Sequence, residues 1–364
     1  MIRHGLAAKP VERERLTMWF KPSIALCALL GSLAAASAQP FHIEDVPSAR
    51  NTAAAQLQPD TIAFSDKPAG APADAGLSLV RFDDWASKHP NEKKFLALFP
   101  SYAEPTIVKP ENGGKPLVEK LYIYVAEARF TLDRAPATID LSHYVTLDFL
   151  DRIDPAIKHK MISAADVTPF TDDAGTGNQN PNRPWCTGRT TSICIQSTYK
   201  LEGKIPLGIM LVNKLRESPK KISDHIDFQS EFSALSPADV DQAALQQLTM
   251  LDTPVTGVLE QNIFHVNQIM KFGKFFAVFQ ADPSDPGKTT VTAFMALAIK
   301  ANVLDEKRGY EKVPVLRNLV PVDVLMGRSS FNSGSSISAG LPQYARNEIT
   351  TVAGLLEKDV AASK

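Results

Sequence analysis

Gln261, His265 and Asn267 share alternate positions with Leu259, Ile263 and Ile269 along a β-rich run from Val258 to Phe272. Side chains two apart on a strand point to the same side, so the pattern describes one apolar face carrying three hydrogen-bonding groups. A few oriented polar groups in an apolar wall are how a binding cavity fixes its ligand. The plainer reading is the half-wet face of an antiparallel sheet. These three side chains are the candidate ligand-binding residues.

The other histidines lie among carboxylates. Asp140, His143, Asp148 and Asp151 crowd a stretch with helical spacing, Thr138 to Ile153. His143 stands one turn from Asp140, an arrangement able to orient an imidazole as a general base. A solvated face in which Asp148 pairs with Arg152 explains the same residues more simply. His225, between Asp224 and Asp227, is equally ambiguous. No His-x-x-x-His or His-Glu pair offers metal ligands from adjacent turns, and no metal is expected.

Three motif fragments fail on chemistry. Gly287-Lys288-Thr289 matches the end of a phosphate-binding loop, but Asp282 stands where the first glycine belongs, and Pro283 and Pro286 remove backbone donors. Ser218-Pro219-Lys220-Lys221 fits the Ser-x-x-Lys of penicillin-recognising enzymes. Its companions are wrong: Ser223-Asp224-His225 follows too soon, and Lys288-Thr289-Thr290 lacks the glycine. No Gly-x-Ser-x-Gly elbow exists. The Ser/Gly-rich run from Ser329 to Gly340 could hold an anion ahead of a helix, although a connecting loop is the simpler reading. No catalytic residue is assigned, and no cofactor is expected.

The elements that would position these groups mix strand and helix. Leu121–Ala126, Ile195–Leu201, Ile226–Phe232, Val258–Phe272, Phe275–Gln280 and Thr289–Val303 read as strands, the last two joined by the hairpin loop Asp282–Gly287. Helices are expected within Phe82–Phe99, over Thr138–Ile153, from Pro155, over Leu207–Leu215, and from the Ser236-Pro237-Ala238-Asp239 start to Leu251. Leu341, Ala345, Ile349, Val352 and Leu356 form an amphipathic stripe on a long final helix, Leu341–Val360. The fold class is therefore α+β: an antiparallel sheet with a long C-terminal helix packed on it. Over residues 195–360 this element order is similar to that of the helix-grip lipid-binding domains. The similarity is of element order, not of motifs.

The N-terminus supplies an address. Arg3, Lys9, Arg13, Arg15 and Lys21 precede an apolar run, Ser23–Ala36, that ends in Ala36-Ser37-Ala38. Positive flank, short apolar stretch and small residues match a secretory signal peptide cleaved between Ala38 and Gln39, with Met18 as an alternative start. The run is shorter than the roughly 20 apolar residues of a spanning helix, so no membrane span is expected in the mature chain. Leu26 argues against Cys27 as a lipoprotein cysteine, and no Arg-Arg pair marks a twin-arginine route. Periplasmic or secreted localisation is the expectation. Of the three cysteines, Cys186 and Cys194 would remain, and an isolated pair in an oxidising compartment reads as a disulfide.

The division expected is a signal peptide over 1–38, a mobile Ala/Pro-rich leader over 39–80, an N-terminal α+β portion over 81–170, a polar loop over 171–184 and the main α+β portion over 185–364. The formal charge of −1 carries no basic excess, which argues against nucleic acid as a partner. Three functions are compatible. The first is non-catalytic binding of an apolar or amphiphilic small molecule, such as a lipid. The second is an exported hydrolase built around His143 or His265. The third is an envelope scaffold that binds through its leader.

Overall fold

The computed structural model describes residues 41–46, 48–49, 52, 57–58, 60–65, 79–81, 107–108, 117–118, 121–168, 185–188, 191–200, 225–266, 270–300 and 337–362. The chain divides into two units, 1–38 and 39–364, and every described residue lies in the second. The signal peptide with Ala38 and Gln39, the helices within 82–99 and 207–215, the loop 171–184 and Asn267 lie outside the described residues.

Twelve strands are described: β1 (His42–Asp45), β2 (Thr61–Ser65), β3 (Leu79–Arg81), β4 (Ile107–Val108), β5 (Leu117–Val118), β6 (Leu121–Leu132), β7 (Ile157–Met161), β8 (Ser192–Lys200), β9 (His225–Leu235), β10 (Val255–Val266), β11 (Met270–Ala281) and β12 (Thr289–Lys300). Three α-helices join them: α1 (Leu147–Ile153), α2 (Gln242–Thr249) and α3 (Ile337–Ala362). The main sheet runs β1-β2-β6-β12-β11-β10-β9-β8-β7, with β3 also on β6, while β4 and β5 pair separately. From β7 to β12 it is an antiparallel meander, and β6 closes onto β12 along its whole length. The sheet is mixed rather than antiparallel throughout, because β1 and β2 pair in parallel.

Alternation along the strands separates two faces. On the inner face, Ala126 and Ala128 of β6, Ala293 of β12, Ala277 of β11 and Leu259 of β10 share one core with Ala345, Ile349, Val352 and Leu356 of α3. The stripe expected on the last helix is thus what it buries, and the alanines leave room for a helix to approach the sheet closely. Gly273, also on this face, holds space for its neighbours: a Cβ there would lie 2.9 Å from Leu297 Cδ2 and 3.0 Å from Ile263 Cδ1. The outer face is buried as well, with Arg129, Phe294, Phe276, Asn262 and Phe264 all at 2% exposure or less.

Residues 39–80, expected to be a mobile leader, contribute two strands and the start of a third, β3. Thr61–Ser65 is buried at every position and pairs with β6. Its Thr-Ile-Ala-Phe-Ser run alternates too briefly to stand out from the Ala/Pro background. The expected helix over 138–153 is in fact two 3₁₀ turns, Pro136–Thr138 and Leu141–Tyr144, followed by α1. Two capping side chains divide it: Asp140 accepts from the Ser142 amide and Thr146 from the Phe149 amide, each opening a new element. Pro155 opens no helix. Asp154 Oδ1 accepts from the Ala156 amide at 2.9 Å, a turn that delivers the chain into β7. The expected strand 258–272 falls on two strands, β10 and β11, with 267–269 undescribed between them. Ser236 and Asp239 do form a capping box, but on a 3₁₀ turn, and Asp241 caps α2 separately.

Candidate functional site

A cavity of about 60 Å³ lies between the inner face of the sheet and the helices α1 and α3. Its walls are mostly apolar and include Phe149 of α1, Phe232 of β9, Leu259 and Ile263 of β10, Met295 of β12 and Val352 of α3. Polar residues enter at few points: Gln261, His159, Asp154, Tyr344 and Glu348, with Lys274 also in the lining, its Nζ held by Glu260 at 2.6 Å. A larger groove of about 390 Å³ adjoins it, bordered by Asn347, Thr350 and Thr351. Ile153, Asp154, Tyr344 and Glu348 border both spaces, so they form the threshold between an apolar inner pocket and a polar vestibule. At 60 Å³ the inner pocket is smaller than the ~150 Å³ cavity that admits benzene. Anything larger than a few solvent-sized groups enters only as α3 or the surrounding side chains part.

Each polar group has an identifiable environment. Gln261 Nε2 donates to Ser230 Oγ at 3.1 Å across the β9–β10 pair, which holds its amide on the inner face. His159 Nδ1 lies 2.8 Å from Ser197 Oγ, and burial lowers the imidazole's pKa below its ordinary value, against the opposing pull of Asp151 and Asp154. Glu348 is the most perturbed of the acids: burial and the neighbouring Asp154 push its pKa up to about 8. At neutral pH it is a carboxylic acid able to donate a hydrogen bond. Tyr344 one turn earlier is raised well above its usual value, chiefly by burial and then by Glu348, Asp154 and Tyr199.

The three candidate binding residues do not share this site. Gln261 lines the cavity as the alternation implies. Asn267 lies outside the described residues. His265 stands on the opposite face, because the register against β9 slips between Ile263, opposite Ser230, and His265, opposite Gln229. That β-bulge inserts Phe264, and the alternation reverses after it. His265 is buried at 8% exposure among outer-face residues. His143 is no closer to the pocket's chemistry: its side chain is 80% exposed, 3.4 Å from Asp140, as a solvated face would have it. His225 pairs with Asp227 at 3.0 Å at the start of β9.

The residues that alternation along strands did not reveal are Glu348, Tyr344, Asp154 and His159. The signal for Glu348 is present in the helix: it interrupts the apolar row Tyr344, Glu348, Val352 at four-residue spacing, where a surface acid has no place.

Cys186 and Cys194 form a disulfide, their Cα atoms 5.5 Å apart. The bridge closes a loop leading into β8. Cys186 and Gly188 have φ of 60° and 77°, the second suited to glycine. Beside the bridge Trp185 stacks on Phe264, ring centroids 4.5 Å apart, on the outer face. Asp282 Oδ1 accepts from Ser284 and Asp285 amides in the loop between β11 and β12, which makes Asp282–Gly287 a side-chain-stabilised hairpin turn rather than a phosphate cradle. Among the described residues no group of three or more His, Cys, Asp or Glu is arranged to hold a metal, and no helix is long and apolar enough to cross a membrane.

No family model matches this sequence, and no curated protein matches it. Among solved structures it is similar to the Zhui aromatase/cyclase of Streptomyces sp. R1128, at 11% identity and a TM-score of 0.31. The similarity covers 65% of this chain and 96% of that one.

Proposed function

We propose that this protein is a non-catalytic carrier or receptor for an apolar or amphiphilic small molecule, bound between the sheet and α3. The carrying observation is the position of the inner pocket: an apolar chamber under a helix, entered past a few polar groups at its threshold. The order β6, short helices, β7 to β12 and a long final helix supports a fold of the helix-grip type. The hydrolase alternative rested on His143 and His265, and neither faces the chamber. Export through the N-terminal segment, with a periplasmic or secreted mature protein, belongs to the same proposal. The disulfide between Cys186 and Cys194 agrees with such a compartment.

The test is titration calorimetry of octanol into the purified full chain after removal of co-purifying lipid by organic extraction. Saturable binding with a negative heat-capacity change is expected. Gly273→Val pushes Leu297 and Ile263 into the chamber, and should weaken octanol by about tenfold or more while the circular dichroism spectrum is retained. Wild-type protein that takes up no octanol, and yields no extractable ligand, would end this reading.

A further inference from the structure

Among the described residues, those that border both chamber and vestibule include two carboxyl groups and no cation. Asp154, just after α1, and Glu348, on α3, border both spaces. Asp154 gives Oδ1 to the Ala156 amide, and its other oxygen accepts nothing from a described residue. Glu348 is half-buried, receives no hydrogen bond from a described residue, and has Asp154 as its principal charged neighbour. Among the described residues its carboxyl has no partner, and an unpartnered polar group withdrawn from water is costly.

The described cations of the surrounding elements are engaged elsewhere. Arg152 faces Asp148 at 3.9 Å, and Lys158 Nζ donates to the Pro155 carbonyl at 3.3 Å. Lys274 Nζ is 2.6 Å from Glu260 Oε2 on the outer face, and Arg346 is 2.5 Å from Asp45. His159 of β7, Tyr199 of β8, Tyr344 of α3 and Asp151 of α1 are further described titratable groups near the threshold, and none of these brings a positive charge at neutral pH.

We propose that the ligand of this pocket is an amphiphile with a cationic head, a protonated amine seated between Asp154 and Glu348 with its apolar tail running inward over Phe232, Leu259 and Met295. This rests on the binding reading above and narrows it to a ligand class. An ammonium group supplies a donor to the second Asp154 oxygen and to the Glu348 carboxyl, and it favours ionisation of Glu348 beside Asp154. A fatty acid would place a third carboxylate beside two, the repulsive case.

The linked proton fixes the sign of the pH dependence. Glu348 holds its proton until about pH 8 in the empty protein, whereas a bound ammonium favours the ionised form. Binding below that pH therefore releases a proton, and amine affinity tightens as pH rises from 6 to 8, then levels off.

Octylamine, octanol and octanoate share a tail and differ in head, so the three titrated into the full chain at pH 6, 7 and 8 separate the two levels of the argument. Octylamine should bind about tenfold tighter than octanol at pH 8, octanoate weakest, with the amine alone gaining several-fold between pH 6 and 8. Asp154→Asn and Glu348→Gln should each reduce the amine's advantage over octanol, measured on the same variant, to about twofold or less. Octanol binding as tightly as octylamine at every pH, or an amine preference untouched by both substitutions, would overturn the cationic-head proposal while leaving the pocket reading intact. Failure of all three probes would remove both.

Discussion

Glu348 gives the protein's own stability a pH signature. Its carboxyl ionises near the ordinary glutamate value of 4.5 when unfolded and only at about 8 when folded. Between those values the folded state holds the extra proton, so stability falls as pH rises through that window and is constant on either side. The span corresponds to a destabilisation on the order of a few kcal/mol at high pH. Glu348→Gln removes the titration. Urea midpoints of wild type and variant should agree near pH 5 and diverge near pH 9, with the variant more stable. Equal midpoints at both pH values would mean that the carboxyl is solvated. At this scale the sequence was partly legible. Gln261 could be placed because two-residue alternation holds up to Ile263. His265 could not, because a one-residue bulge leaves no mark in composition yet moves every later side chain to the other face. Glu348 was hidden by the regularity of its own stripe: Ala345, Ile349, Val352 and Leu356 make α3 amphipathic with or without it.

Elements whose period is long relative to their interruptions were read correctly, and those divided by caps were not. α3 runs 26 residues and the strand β12 runs 12, so each averages over local exceptions. The stretch 138–153 has helical spacing too, but Asp140 and Thr146 each satisfy backbone donors and restart the chain, leaving three short elements. β2 was missed for another reason: five residues carry too little pattern, and their burial comes from pairing with β6, distant in sequence. The disulfide was legible because, of the three cysteines, only Cys186 and Cys194 lie outside the expected signal peptide. Its nine-residue ring, spanning Cys186 to Cys194, should contribute roughly 2.5 kcal/mol by restricting the unfolded chain. The double substitution Cys186→Ser with Cys194→Ser should lower the urea midpoint of the oxidised protein, and reductant should lower the wild type to match it. A wild type indifferent to reductant, with both thiols confirmed free by mass, would show that the loop's packing at Trp185 and Phe264 suffices.

The whole molecule is held together by pairings that span the chain, and Arg129 joins three of its parts. It lies in β6 on the outer face at 1% exposure. One guanidinium nitrogen donates to the Thr52 carbonyl at 2.8 Å, and another donates to the Thr249 carbonyl. Thr52 belongs to the segment before β2, and Thr249 ends α2, where a helix presents unpaired carbonyls and a cation is favoured. The planar fork of arginine reaches both acceptors at once, which lysine's single ammonium does not do as well. Arg129→Leu keeps the bulk and deletes the donors, so the buried Thr249 carbonyl and the half-buried Thr52 carbonyl lose a partner at a cost of about 3 kcal/mol. The effect should be uneven in space. The sheet from β7 to β12 keeps its register, whereas Thr52 loses its tether to β6. Limited proteolysis followed by mass analysis should find cleavage within 46–60 accelerated several-fold, ahead of any cut in β9 to β12, together with a lower urea midpoint. Lysine at the same position should recover part of the midpoint, because it restores one donor and the charge. An unchanged cleavage order in Arg129→Leu would mean that β1 and β2 are held by strand pairing alone, and that the guanidinium serves only the end of α2.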